Sequence, residues 1–335
     1  MNNLKKLSAL LLAAVVAVSV VSCSTKNSTV ATVNGDKISK EEFNYYLTSV
    51  KSQIEAEQGA DIPEDFWETA EIDGQIVLEN AKEKALEEIV KSVIAKQKAL
   101  ENNVKITSEQ RQQINNTLGQ LVSQYGKNGV DDFLAQYGLD SKLYEKQIEN
   151  SFYRANLTEL LTESITEEQA KEFYTSDIVR VKHILIMTID EMTQESLDSE
   201  GVIAAKTEAE AIMERAKNGE DFDSLVAELS QDPGSQSSPD GYYVGKGFAL
   251  GMQGGMVTAF ETASLELAVG DVSDVVETGY GYHIIKRYEN QESAYEENQD
   301  EILALARATA FDKMLDEWKS VARIEKVDSV YNSMK

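Results

Sequence analysis

The chain of 335 residues is poor in cysteine, histidine, tryptophan and proline: one, two, two and three, respectively. A single cysteine, Cys23, rules out an intrachain disulfide. With only His183 and His283 beside it, no zinc site of Cys/His spacing can be assembled. Three prolines and a hydrophobic fraction of 42% argue against disorder throughout. Basic residues are also scarce, 32 against 58 acidic ones, for a formal net charge of −26. No basic stripe is available to follow phosphates, which excludes nucleic acid as the partner. Lys246 sits between two glycines, but no strand precedes a GxxxxGK[ST] run, so nucleotide binding is excluded as well.

Long apolar runs are absent except at the start. Lys5 and Lys6 precede an apolar stretch from Leu7 to Val21, short for a membrane span and suited to an export signal. It ends Val20-Val21-Ser22-Cys23, which resembles the lipobox of bacterial lipoproteins. That resemblance implies cleavage after residue 22, lipidation of Cys23, and a tether over residues 23–29 that leashes an extracytoplasmic protein to the cell membrane. Removing residues 1–22 takes away Lys5 and Lys6 and no acids, so the mature chain is more acidic still.

Beyond the tether, Val30 to Ile38 reads as a β-hairpin around Asn34-Gly35. Ser39 and Glu42 form a capping box for a helix carrying Phe43, Tyr46, Leu47 and Val50, with Ile38 stapled to Phe43. Further helices are expected at 75–100, from Thr107-Gln110 to 125, at 131–137, at 140–162 and from Thr166-Gln169 to 174. The texture then changes. A strand is expected at 179–187, a helix at 206–218 capped by Thr207 and Glu210, and a short helix at 221–229. A Gly/Ser/Pro-rich loop over 232–255 follows, then strands at 272–276 and 282–287. Helix returns over 291–321, with a strand at 323–327. The fold class is therefore α+β: a small antiparallel sheet with surrounding helices, residues 177–289, inserted in a mainly α-helical module whose two parts are 30–176 and 290–335. Split helical modules of this sort can pair, so a homodimer is one option.

Five pieces of the inserted unit occur in family order: His183-Ile184-Leu185-Ile186, Gly219-Glu220-Asp221-Phe222, Ser230-Gln231-Asp232-Pro233-Gly234-Ser235, Gly255-Met256-Val257-Thr258-Ala259-Phe260-Glu261 and Gly281-Tyr282-His283-Ile284-Ile285-Lys286. Together they resemble a parvulin-type peptidyl-prolyl isomerase. The flanking helices resemble those of PrsA-like foldase lipoproteins and the chaperone SurA. The resemblance implies a catalytic set of His183, His283, Asp232 and Thr278. Thr278 would order the second imidazole, and Met256 and Phe260 would form the floor of a proline pocket. It implies no cofactor and no metal. Its partners would be unfolded or partly folded exported polypeptides with X-Pro bonds.

Two departures stand out. The family's Gly-Gly-Asp-Leu-Gly run is replaced by Pro239-Asp240-Gly241-Tyr242-Tyr243, where Gly241 aligns with the apolar leucine and Tyr242 or Tyr243 is the expected substitute. About seven residues, 248–254, are inserted before Gly255. The loop after the first strand is acidic, with Asp190, Glu191, Glu195, Asp198 and Glu200, which argues against a preference for phosphoserine-proline. The competing reading is a holdase whose parvulin domain only docks clients. A structural lipoprotein without clients is a third.

Overall fold

A computed structural model describes residues 28–335 apart from 59–61, 64, 73, 191–194, 236–237 and 253. The export signal and Cys23 lie outside the described residues. The chain begins with a hairpin, β1 (Thr29–Val33) and β2 (Asp36–Ser39). Its turn takes Asn34 and Gly35 at φ 53° and 97°, the paired positive values that a two-residue hairpin turn demands. Helix α1 (Lys40–Gln58) starts with Ser39 Oγ accepting from the Glu42 amide, while the Glu42 carboxylate turns inward to Lys146 at 2.7 Å. After α2 (Phe66–Thr69), β3 (Glu71–Ile72) and β4 (Gln75–Ile76) comes α3 (Val77–Glu101), the central helix of the module. Then follow α4 (Ser108–Tyr125), α5 (Gly129–Ala135), α6 (Ser141–Thr162) and α7 (Glu167–Ser176). Reciprocal capping boxes at Thr107/Gln110 and Thr166/Gln169 open α4 and α7.

The isomerase-like unit contains β5 (Val179–Met187), α8 (Ser199–Lys217), α9 (Phe222–Leu229), β6 (Tyr242–Gly245), β7 (Phe248–Ala249), α10 (Thr258–Glu266), β8 (Val276–Thr278) and β9 (Gly281–Tyr288). Its sheet is antiparallel, in the order β7-β6-β5-β9-β8. Helices α8 and α9 pack on one face and α10 on the other. The chain closes with α11 (Glu292–Glu297), α12 (Gln299–Val321), β10 (Ile324–Lys326) and α13 (Asp328–Tyr331).

The last segment returns to the first. β10 pairs with β1, Ala31 opposite Lys326, and α12 lies on α3 and α6. One core therefore joins residues far apart in sequence: Val33, Ile38, Phe43 and Leu47 with Ile89 and Ile94, and with Leu157, Phe311 and Leu315. Ion pairs Lys319–Glu87 and Arg154–Asp312 flank it. A second cluster, Phe173, Tyr174, Ile178, Tyr295 and Ile302, takes Tyr243, Phe248 and Leu250 from the sheet side and so joins the two units.

Three local expectations need correction. The helix expected from residue 206 begins at Ser199, because Asp198 Oδ1 accepts from the Gly201 amide and caps it; Thr207 sits mid-helix with its hydroxyl donating to Ile203 O. The stretch 232–255, expected as loop, contains β6 and β7. The strand expected at 272–276 keeps a single bridge, Val272 opposite Lys286, and pairs regularly only at Val276–Thr278: Ser273 Oγ accepts from the Ile285 amide at 2.9 Å, a bond a backbone carbonyl would otherwise accept, and this interrupts the ladder. Among the described residues, no helix is long and apolar enough to cross a membrane.

Candidate active site

Alternation along β5 and β9 builds the site. The register opposes Leu185 to His283 and His183 to Ile285, so both imidazoles stand on one face, diagonal to each other. Their ring centroids are 5.1 Å apart. Phe260, the third residue of α10, presents its ring edge-on to both, 5.0 Å from His183 and 5.3 Å from His283. Met256, one turn earlier, lies in the same apolar cluster.

These groups line one open cavity of ≈ 420 Å³ together with Leu185, Met187, Ile189, Pro233, Tyr242, Met252 and Tyr280. Its walls are mostly apolar, and its size suits a side chain as small as proline. Asp232 also lines it and, with His183 and Tyr242, separates it from a more polar cavity of ≈ 360 Å³ that includes Lys182, Asp223, Ser230 and Ser235.

Both histidines are neutral near pH 7. Burial pushes His183 down to about 4 against the pull of Asp232, and burial, aided by His183, pushes His283 down to about 3. Thr278 Oγ1 lies 2.8 Å from His283 Nε2 and 3.4 Å from Gly281 O. Thr278 Oγ1 also accepts from the Tyr280 amide at 3.2 Å, so it ties the imidazole to the β8–β9 turn, with the direction of the Thr278–His283 bond set by the imidazole tautomer. Asp232 Oδ2 is 3.6 Å from His183 Nε2. Burial by itself would raise the Asp232 carboxyl, but hydrogen bonds from Tyr242 (2.7 Å), Ser235 (2.8 Å) and the Gly234 amide (3.1 Å) outweigh it and hold the group below the usual carboxylate range. The acid is therefore a carboxylate across neutral pH.

The position of Asp232 follows from a short splice beside β5. Past Val181 that strand edge has no β6 partner; instead Ser230 Oγ accepts from the Leu185 amide, the Gln231 amide donates to Leu185 O, and Gln231 Oε1 accepts from the Met187 amide. Asp232 is thereby delivered beside His183.

Of the sequence-derived set, His183, His283, Asp232, Thr278, Met256, Phe260 and Tyr242 come together. Tyr243 does not. Adjacent strand residues face opposite sides, so with Tyr242 on the cavity, Tyr243 points to the helical junction, stacks on Tyr174 at 6.1 Å and donates its hydroxyl to Gln291. Gly241 cannot carry the family's leucine. It has φ 91°, and a Cβ there would lie 2.3 Å from Val181 O. The sequence reasoning missed Leu185, Met187, Tyr280 and Met252 as lining residues. The period of two from His183 was the signal for the first two.

Comparisons with known proteins identify both parts of the chain. Residues 164–291 match the model of the PPIC-type PPIase domain, and residues 2–158 match that of the SurA-like N-terminal domain. The foldase protein PrsA of Caldanaerobacter subterraneus subsp. tengcongensis is 29% identical over 285 residues, covering 81% of this chain and 78% of that one. The foldase protein PrsA of Geobacillus kaustophilus is 38% identical over 143 residues, 41% of this chain and 42% of that one. Among solved structures, the parvuline of Nitrosopumilus maritimus is 37% identical, covers 34% of this chain and 97% of its own, and aligns with a TM-score of 0.24. Residues 164–291 are thus a PPIC-type peptidyl-prolyl isomerase domain set behind a SurA-like N-terminal domain, in a chain that resembles the PrsA foldases.

Proposed function

We propose that the protein is a lipid-anchored folding factor that isomerises X-Pro bonds in exported polypeptides outside the membrane, with Cys23 as the lipid attachment point. On this reading residues 1–22 are removed, 23–29 form the tether, 177–289 catalyse, and 30–176 with 290–335 hold the client. The observation that carries the catalytic part is the convergence of His183, His283, Met256 and Phe260 on one open apolar cavity.

The chemistry asked of the site is modest. Amide resonance sets a rotation barrier of about 20 kcal/mol. Twisting the bond removes charge separation between carbonyl oxygen and nitrogen, so an environment that disfavours that separation favours the twisted state. Met256 and Phe260 grip the pyrrolidine in such an environment. The neutral imidazoles shape the floor without adding charge, Thr278 keeps the His283 ring in its orientation, and Tyr242 closes the side wall. The Asp232 carboxylate opposes negative charge on a carbonyl oxygen placed near it, and that charge is larger in the planar amide than in the twisted one. Lowering the barrier by ~5 kcal/mol accelerates rotation by roughly 10³ to 10⁴.

The test is refolding of a client limited by proline isomerisation. Substoichiometric amounts of the protein should speed the slow phase. Suppressed aggregation with no change in that phase would leave the holdase reading instead. Anchoring is tested separately: Cys23→Ala should release the mature chain from the membrane fraction, and unchanged retention would count against the lipid tether.

A further inference from the structure

The segment 248–254, inserted before Gly255, is fastened on one side and active on the other. Phe248 and Ala249 form β7 against β6. Phe248 stacks on Phe173 of α7 at 6.0 Å, Leu250 packs in the same junction cluster, and the Gly251 amide donates to Glu301 Oε1 of α12 at 3.0 Å. The loop also closes on itself, with Met252 N donating to Ala249 O and Ala249 N to Gly254 O. The contacts of Phe248, Leu250 and Gly251 lie toward the helical module. Met252 alone among residues 248–252 lines the prolyl cavity, and it is 49% exposed. Tyr280, at the β8–β9 turn, lines the same cavity and is 50% exposed. Two large apolar side chains thus remain half in water at the cavity that grips proline, beside Met187 and Ile189. A thioether on an unbranched chain adapts to either aliphatic or aromatic partners.

Resting on the isomerase reading, we propose that Met252 is a specificity-determining residue. With Tyr280 it forms an apolar shelf that receives an aliphatic or aromatic side chain adjacent to the substrate proline, and Glu301 acts as a positioning residue that holds the shelf from the helical module. The occupant follows from continuity: a chain whose proline sits on Phe260 and Met256 must lay a neighbouring residue within one residue's reach of the cavity rim. Covering Met252 and Tyr280 with an apolar side chain removes water from both, whereas alanine covers little of either.

The test uses the full chain and two series of short peptides, with Ala, Leu, Phe or Glu placed either before or after proline. In one series the wild type should favour Leu or Phe over Ala by about tenfold in kcat/KM. Met252→Ala should reduce that preference to about twofold by slowing the Leu and Phe peptides more than the Ala peptide, and Met252→Leu should retain it. Glu301→Ala should also flatten the preference, and Glu301→Gln, which keeps an acceptor for the Gly251 amide, should restore it. Equal loss on all peptides, or an intact preference in Met252→Ala, overturns the shelf while the isomerase reading stands. If the wild type turns over no peptide, the isomerase reading fails and the shelf fails with it.

Discussion

The two faces of the β5–β9 pair differ in what they bury. On one, Ile184, Ile186, Tyr282 and Ile284 are covered by Ala209, Ile212, Phe222 and Leu225 of α8 and α9 in a closed apolar core. On the other, one residue along each strand, His183, Leu185 and His283 stand beneath an opening rather than a helix, with α10 reaching only to their edge through Phe260 and with Met256 in the segment just before it. The same backbone thus carries a face that only stabilises and a face that leaves room for a ligand. The second face buries two imidazoles that must stay neutral, a cost the first face does not bear. The comparison teaches that over the stretch the cavity uncovers, position on a strand, odd or even, separates residues of structural value from residues that face the ligand; farther along the same face Val181 and Ile285 are core.

The largest expected break in that contrast is Phe260→Ala. Peptide isomerisation kinetics should show kcat/KM falling about 10²-fold or more, together with a loss of roughly 3 kcal/mol in denaturant unfolding of the isomerase domain. Ile284→Ala, on the closed face, should cost a similar ~3 kcal/mol, yet kcat/KM per folded molecule should stay within about twofold of wild type. If Ile284→Ala impaired the folded enzyme as deeply as Phe260→Ala, the division between faces would not hold.

Acid sharpens the contrast next. The folded pKa of His183 is about 4 against an ordinary 6.5, so the unfolded chain binds protons more readily between those values. Stability from keeping this ring neutral is complete above about 6.5 and is lost as pH falls toward 4, amounting to roughly 3 kcal/mol for His183. His283 acts in the same direction, down to about 3. Isomerase activity should accordingly stay flat from pH 8 to 5.5 while urea midpoints of this domain already decline below 6.5. A rate that tracks a group titrating near 6.5 would mean that an imidazole changes charge during turnover. Met256→Ala, at a partly buried position, should lower kcat/KM by about tenfold with little effect on stability. Asp232→Asn keeps an acceptor for Tyr242 and Ser235 but removes the charge, and should lower kcat/KM only a few-fold, by about the factor expected for an indirect field.

Much of this was legible in the residues. The strand 179–187 is matched to the residue, because Val179 and Val181 alternate with Arg180 and Lys182 before the apolar run Ile184-Leu185-Ile186-Met187. The hairpin at Asn34-Gly35 and the capping boxes at Thr107 and Thr166 were readable because each depends on side chains and backbone within three residues. What escaped depends on partners distant in sequence. β6 is four residues with two tyrosines in a glycine-rich setting, and it becomes a strand only by pairing with β5. The displacement of β8 comes from one serine hydroxyl taking a ladder bond. Tyr243 was grouped with Tyr242 for want of a strand assignment; once β6 is a strand, alternation sends them to opposite sides. The grouping of His183 with His283 came from the parvulin resemblance of the pieces that carry them. Their shared face depends on the β5–β9 register, which alternation along either strand does not supply.

The central claim is that a proline ring sits against Phe260 and Met256 over the histidine pair. Intermolecular nuclear Overhauser effects between the full chain and an X-Pro peptide test it directly. The account predicts contacts from the proline ring protons to the Phe260 ring and to the Met256 methyl group, lost when excess peptide of the same length without proline is compared. Contacts confined to the helices of residues 40–162, with none at Phe260 or Met256, would contradict it.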